Sequence, residues 1–163
     1  MAYRYVLTRE FEPNLFDTGP EIDGLFIGLN PSTADERDDD ATVRRWSGFA
    51  RSWHWRRYFV ANLYAWRSTD PSELVAAADP VGPDNDRTIA ELVVKVNGPV
   101  ICCWGNNGEP ERKAHVLELL KERGVTPYAL RVTRAGQPEH ALRLPKSLYP
   151  KPLSQLLAEA PWH

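Results

Sequence analysis

Four continuous apolar segments of strand length are the feature that most constrains how this chain can fold. They read IDGLFIGL at 22–29, YFVANLYAW at 58–66, PVICCWG at 99–105 and VTPYALRV at 125–132. Strands that are apolar along their whole length are buried on both faces, which is typical of parallel sheets. Segments with helical apolar spacing separate them. The alternation of strand and helix therefore predicts an α/β domain.

Helices are predicted in each connection and near the end of the sequence. Asp39 and Asp40 precede the first of them, where a helix N-terminus favours a capping residue and negative charge. Gly124 follows another, at the position where a C-terminal glycine commonly ends a helix. The predicted helices cover 41–54, a short segment at 72–78, a segment from Pro83–Asp84 to about Val96, 110–123, and 153–160.

This order of elements predicts right-handed crossovers and a mostly parallel sheet that is covered on both faces. We expect a three-layer α/β/α sandwich with a four-stranded, mostly parallel central sheet. Residues 3–8 alternate and are rich in strand formers, so they predict a short N-terminal edge strand. With 163 residues and no repeat or linker, the chain is expected to form a single domain over 1–163.

Composition restricts the cellular setting. No apolar run approaches the roughly 20 residues that cross a bilayer, so no membrane association is expected. The N-terminus lacks the apolar core of a signal peptide, which favours a cytoplasmic location. Cys102 and Cys103 are adjacent in an apolar segment, where neighbours in a strand point to opposite faces. We expect both to be reduced core residues.

Charge is unevenly distributed along the chain, although the net charge is only −2. Residues 1–40 carry ten acids and three bases, whereas residues 41–69 carry six arginines and no acid. Residues 131–151 are also basic. A basic face that contacts phosphate and a solvated helix face both explain this pattern.

Polar or small residues follow each predicted strand. In open α/β sheets, ligands bind outside the carboxyl ends of the strands. A lone asparagine there is usually a turn former, but four polar clusters at one edge favour a binding site. The clusters are Gly28 to Thr33; Asn62, Tyr64 and Trp66; Trp104 to Gly108; and Gly136 to His140.

These motifs resemble a known family of bacteria and phages. The segments GLFIGLNPSTADERDDDATVRRW, NLYAWRSTDP, ADPVGPDND, the strand ending in WG, and TRAGQPEHALRLP are similar to the domain-of-unknown-function family numbered 1643. The resemblance spans nearly the whole chain. It implies no settled activity.

A more distant resemblance, to uracil-DNA glycosylases, implies a chemistry. GLNPS at 28–32 is similar to their GINPG-type motif, VANLY to their strand asparagine, VICCWG to their strand ending in WG, and the segment from His140 to their last-strand loop. Position 30 holds Asn where many members have a water-activating Asp. His140 is followed by Ala-Leu instead of Pro-Ser, so the DNA-intercalating loop is not matched.

The resemblance implies a hydrolase that breaks the N-glycosidic bond of a nucleobase in nucleic acid or in a nucleotide. Asn30 would position water and His140 would stabilise the leaving base. Asn62 has both a donor and an acceptor with which to read the base. The predicted substrate-binding residues are Gly28, Pro31, Ser32, Thr33, Asn62, Tyr64, Trp66, Gly105 and Asn106, and the predicted phosphate contacts are Arg44, Arg45, Arg143 and Lys146.

A non-catalytic module that binds a nucleotide or modified base is the alternative, because an amide at position 30 cannot accept a proton as a carboxylate does. The aspartates at 38–40 suggest a metal site, but helix capping explains them sufficiently. We therefore predict no cofactor and no metal. The oligomeric state is left open, with a monomer as the expectation.

Overall fold

A six-stranded mixed sheet organises the protein. The structure is a computed structural model that describes residues 2–13, 15–16, 18–31, 37–68, 72 and 77–161. Within that part of the chain the strand order is β1-β3-β2-β4-β5-β6. The strands are β1 Leu7–Glu10, β2 Asp23–Gly28, β3 Arg57–Asn62, β4 Val100–Cys102, β5 Pro127–Ala129 and β6 Lys151–Pro152.

The four inner strands pair in parallel and the two outer strands are antiparallel to their neighbours. The expected four-stranded sheet with one edge strand was therefore too small. Strand β6 was not predicted, because it has only two residues, follows Pro150 and itself contains Pro152. The N-terminal edge strand is at Leu7–Glu10 instead of 3–8, and among those earlier residues Tyr3 makes only an isolated bridge to Trp66.

Four helices are present among the described residues: α1 Ala41–Ser52, α2 Asn85–Lys95, α3 Pro110–Glu122 and α4 Leu153–Glu159. Asp40 caps α1, since its side chain accepts a hydrogen bond from the Val43 amide. The prediction of a capping aspartate is therefore confirmed. Residues 73–76 of the predicted helix at 72–78 lie outside the described residues. None of the described helices is long and apolar enough to cross a membrane.

The two faces of the sheet have separate apolar cores, as strands buried on both faces require. Leu25 and Ile27 of β2 pack into a cluster that also contains residues of α2 and α3. Phe26, between them, packs into a cluster with α1. Cys102 and Cys103 are free and buried, one in each cluster, as predicted. Burial raises the pKa of Cys103 to about 12.

The topology determines where a ligand can bind. β2 lies at the centre, with β3 on one side and β4 on the other. The chain passes from β2 to β3 through α1 on one face, and from β3 to β4 through α2 on the other. The direction of winding therefore reverses at β2. A crevice opens at such a switch point, outside the carboxyl ends of the strands.

Candidate functional site

A cleft of about 340 Å³ lies at this switch point. It is formed by the residues that follow β2, the end of β3, the turn after β4, the start of α1 and the loop before the 3₁₀ turn Ala141–Arg143. The cleft therefore collects residues from distant parts of the sequence. Its lining residues are Arg4, Gly28, Leu29, Asn30, Pro31, Asp40, Thr42, Val43, Trp46, Val60, Asn62, Ser68, Trp104, Gly105, Asn106, Asn107 and His140.

Asn30 has a fixed amide orientation. Its Nδ2 donates to the backbone oxygen of Ser68 at 2.7 Å and to that of Pro31 at 3.1 Å. Both partners are acceptors, so the NH₂ group must face them. The Oδ1 atom accepts no hydrogen bond from a described residue. Asn30 therefore presents a hydrogen-bond acceptor whose position the backbone fixes.

Asn62 is buried, with only 4% of its surface exposed. It ends β3, and its side chain lines the cleft without a hydrogen bond to any described residue. Gly28, its register partner at the end of β2, leaves it room: a Cβ at Gly28 would lie 2.8 Å from Asn62 Oδ1. Buried polar groups without protein partners are uncommon, because desolvating them costs free energy. The Asn62 amide therefore indicates a place for a polar ligand.

His140 is half-buried and lines the same cleft. Its Nδ1 accepts a hydrogen bond from the Leu142 amide at 3.2 Å. An Nδ1 that accepts has no proton, so the neutral ring has its proton on Nε2. Burial lowers the pKa of His140, and the negative charge of Asp40 opposes that effect. At neutral pH the imidazole is therefore a neutral donor through Nε2–H.

The turn after β4 brings backbone close to these side chains. Gly105 has φ of 75°, in the left-handed region that favours glycine, and its amide donates to the Pro138 oxygen at 2.8 Å. That hydrogen bond joins the turn to the segment that carries His140. Asn106 follows, and its Oδ1 accepts from Thr133 Oγ1 at 2.7 Å, so its acceptor is already engaged.

An aromatic ring contributes to the wall of the cleft. Trp46 is 6% exposed and stacks on Phe26, with 5.5 Å between ring centroids. A Cβ at Gly28 would lie 3.5 Å from the Trp46 ring, so this indole adjoins Gly28 as well. Trp46 therefore serves the core and borders the cleft, which offers an apolar surface beside the Asn62 amide.

Larger concavities occur elsewhere in the described chain. One of about 1170 Å³ runs along residues 2–9, and one of about 530 Å³ lies between α2 and α3. None of the buried polar side chains of the described residues lines either of them, whereas Asn62 and Ser68 line the cleft. The smaller cleft is the better candidate, because several polar side chains converge there and one of them, Asn62, makes no hydrogen bond to a described residue.

Most of the predicted site residues come together in the cleft. These are Gly28, Asn30, Pro31, Asn62, Gly105, Asn106 and His140. Ser32 and Thr33 lie outside the described residues. Tyr64 and Trp66 do not line the cleft: the Tyr64 hydroxyl accepts from the Glu109 amide at the start of α3, and Trp66 packs edge-on against Tyr3.

The four predicted phosphate contacts lie on two adjoining segments, α1 and the turn that follows His140. The Arg45 guanidinium donates to the Leu144 backbone oxygen and so connects these segments. Arg44 donates to the Asp39 backbone oxygen. Arg143 and Lys146 are exposed. None of the four lines the cleft itself.

Arg56 belongs to the same acid-free stretch, 41–69, as Arg44 and Arg45, but it lies far from the cleft. Its guanidinium donates to the Asp23 carboxylate at 2.8 Å. Asp23 is the first residue of β2, whereas the cleft lies beyond Gly28, the last. Arg56 is therefore at the opposite edge of the sheet. Its position after a helix and before a strand, read correctly, would have placed it there.

Sequence reasoning missed three polar lining residues, Arg4, Thr42 and Ser68, and it gave Asp40 only a capping role. The signal for Asp40 and Thr42 was available. A helix that follows a parallel strand starts at the carboxyl edge of the sheet, so its first residues face the same crevice. Arg4 gave no such signal, because it reaches the cleft from a segment without regular structure.

The comparison with protein families gives one match. The family described as protein of unknown function (DUF1643) matches residues 4–142, which is most of the chain, so the chain belongs to that family. No curated protein matches, and no solved structure matches. All of the residues that line the cleft lie within the matched range.

Proposed function

We propose that this member of the DUF1643 family binds a nucleobase in the cleft and hydrolyses its N-glycosidic bond. The carrying observation is the Asn62 side chain, which is buried at the switch point, lines the cleft and makes no hydrogen bond to a described residue. A side-chain amide offers a donor and an acceptor in one plane, which complements the edge of a planar nucleobase. The adjoining Trp46 ring offers an apolar face to the same ligand.

The two other open groups in the cleft suit the bond cleavage. The reaction develops positive charge on the sugar and negative charge on the departing base. Asn30 Oδ1 can hold a water molecule, because the backbone fixes its direction. His140 can donate a hydrogen bond through Nε2–H to the base as it acquires charge. Burial favours the neutral imidazole for this role, since it lowers the pKa of His140.

The resemblance to uracil-DNA glycosylases supports the same proposal. It implies that an asparagine-proline motif, a strand asparagine, a WG turn and a histidine loop share one site. Asn30, Asn62, Gly105 and His140 do line one cleft. We propose in addition that the sheet and its helices form the α/β/α sandwich of that superfamily, a proposal that the four parallel inner strands support.

A nucleic acid or nucleotide is the proposed partner. Phosphate would bind beside the cleft, on α1 and on the turn that follows His140 and packs against α1. The contacting residues would be Arg44, Arg45, Arg143 and Lys146. Such contacts make binding weaken as salt rises, because phosphate binding releases counterions. The cytoplasm remains the proposed location, in keeping with two free cysteines.

One observation favours a second candidate, a non-catalytic module that recognises a nucleotide or modified base. Asn30 holds an amide where a carboxylate would activate water, and both Nδ2 hydrogen bonds go to backbone carbonyls. An aspartate at this position would place an oxygen against two carbonyl oxygens, which is unfavourable. The local structure therefore requires the amide.

A base-release screen tests the proposal. Oligonucleotides and nucleotides with modified bases are incubated with the protein, and free base is measured. We expect the parent protein to release base from at least one substrate. The Asn30→Ala variant should release it more slowly, while its thermal stability should be unchanged. If a substrate binds tightly but no base is released, the binding-module candidate is correct. If nothing binds in the cleft, both candidates are wrong.

A further inference from the structure

The cleft contains a carboxylate, the side chain of Asp40, which also caps α1. Asp40 lines it together with Asn30 and His140, and it is the only acidic side chain among the described lining residues. Water that attacks the sugar must lose a proton, and a carboxylate accepts that proton far better than an amide. The cleft therefore has a candidate for the base that position 30 lacks.

The fold fixes Asp40 in place. Its side chain accepts from the Val43 amide at 2.9 Å, and its backbone oxygen accepts from the Arg44 amide. The N-terminus of α1 carries partial positive charge, which stabilises an anion. A carboxylate that is held at a helix start needs little reorganisation to act on a bound molecule.

The charged surroundings of Asp40 link it to the rest of the site. Its negative charge acts on His140, where it opposes the lowering of the pKa by burial. Arg4, from the N-terminal segment, is the other charged side chain that lines the cleft. Asp39 precedes Asp40 in the sequence, but it forms an ion pair with Arg9 at 2.7 Å and does not line the cleft.

We infer that Asp40 is a catalytic residue, the general base of the proposed hydrolysis; this inference rests on the proposed function. Asn30 Oδ1 holds the water, and the water gives a proton to the Asp40 carboxylate. The water oxygen forms a bond to C1′ of the sugar as the C1′–N bond breaks. The bonding electron pair leaves with the base, whose negative charge His140 Nε2–H stabilises. Asp40 then returns the proton to the solvent or to the base.

Asp40→Asn is the critical variant. Asparagine caps helices as well as aspartate does, so the Val43 hydrogen bond is retained while the carboxylate is replaced by an amide, which is a poor proton acceptor. Single-turnover base release should fall by about 100-fold or more, the usual contribution of a general base. Binding of the substrate should change by less than about 3-fold. Asp40→Ser, another good cap, should behave in the same way.

Asp39→Asn is the matched control, because it removes a neighbouring carboxylate that lies outside the cleft. It should release base at the parent rate.

The outcomes separate two failures. If the parent releases base and folded Asp40→Asn does so within a few-fold of the parent rate, Asp40 is not the base and the proposed hydrolysis still stands. If the parent releases no base from any substrate, the proposed function fails and takes this inference with it.

Discussion

The polar side chains at the two edges of the central sheet differ in their hydrogen bonding. At the amino edge, Asp23 at the start of β2 accepts hydrogen bonds from Arg56 at 2.8 Å and from Arg57 at 2.7 Å. Arg56 and Arg57 also pair with Glu21 and Glu10. At the carboxyl edge, the Asn62 amide makes no hydrogen bond to a described residue, although it is more deeply buried than those charges.

The contrast separates polar residues that serve the fold from those that await a ligand. At the amino edge, ion pairs engage the Asp23 carboxylate and the terminal guanidinium nitrogens of Arg56 and Arg57. An amide that lines a cleft and makes no hydrogen bond to a described residue has its donor and its acceptor available to a ligand. The two edges therefore differ in how far their polar side chains are hydrogen-bonded within the protein, more than in residue type.

The largest expected effect is at Asn62. Replacement by Ala should lower base release by about 100-fold, or about 2.7 kcal/mol of transition-state stabilisation, because the base loses its donor and acceptor. The free energy of unfolding should change by less than about 1 kcal/mol, since no protein hydrogen bond is lost. Denaturant unfolding and single-turnover kinetics measure the two quantities.

Asn85 is the matched control for that variant. It is also buried, but its Nδ2 donates to the backbone oxygens of Asn62 and Leu63. Asn85→Ala should lower the free energy of unfolding by about 2 kcal/mol, because the backbone oxygens of Asn62 and Leu63 each lose a hydrogen-bond donor. If Asn62→Ala destabilises the protein as much as Asn85→Ala, Asn62 is structural and the contrast between the edges is lost.

Two glycines of β2 provide the next comparison, because Gly24 lies near the amino edge of the sheet and Gly28 lies at its carboxyl edge. A Cβ at Gly24 would lie 2.3 Å from ring carbons of the buried Trp55, so Gly24→Ala should lower the free energy of unfolding by about 1–3 kcal/mol. A Cβ at Gly28 would instead displace Asn62 Oδ1. Gly28→Ala should keep most of the stability but weaken ligand binding. The reverse pattern would contradict the assignment of the edges.

The smallest effect is expected at Asp23. Desolvation raises its pKa, but hydrogen bonds from Arg56 and Arg57 outweigh this and hold the pKa below its ordinary range. Stability from this group is therefore complete above the unfolded pKa of about 4 and is lost as pH falls through the lower folded pKa. Asp23→Asn should cost about 1 kcal/mol at pH 7, and the difference should shrink in acid.

Base release provides the control for Asp23→Asn. The variant should keep the parent rate, because Asp23 lies at the far end of β2 from the cleft. A loss of rate without a loss of stability would show that the amino edge takes part in function after all.

The strand segments were predictable because burial on both faces leaves a continuous apolar pattern in the sequence. The inner strands β2 to β5 all fall within predicted segments or within one residue of them. Their ends were less predictable: apolar residues such as Leu63 and Tyr64 continue into the core after β3 has ended at Asn62. Hydrophobicity reports burial, and a buried residue need not belong to a strand.

The site was partly predictable for the same reason. Asn30, Asn62 and His140 each follow a strand, and the topology of a parallel sheet brings such positions to one edge. Tyr64 and Trp66 follow a strand as well, yet their rings pack against Glu109 and Tyr3 instead of the cleft. The direction of a side chain depends on neighbours from other segments, which sequence spacing does not reveal.

The sequence by itself determined the α/β class, the order of the inner elements and the family, because these depend on local periodicity and on motifs along the chain. Only the tertiary structure decided which polar atoms remain without partners. Asn85 and Asn62 are both buried asparagines, but contacts between segments give the Asn85 Nδ2 two backbone acceptors, whereas the Asn62 side chain makes no hydrogen bond to a described residue. Hydrogen-bond satisfaction is a property of distant groups brought together, so it exists only once the chain has folded.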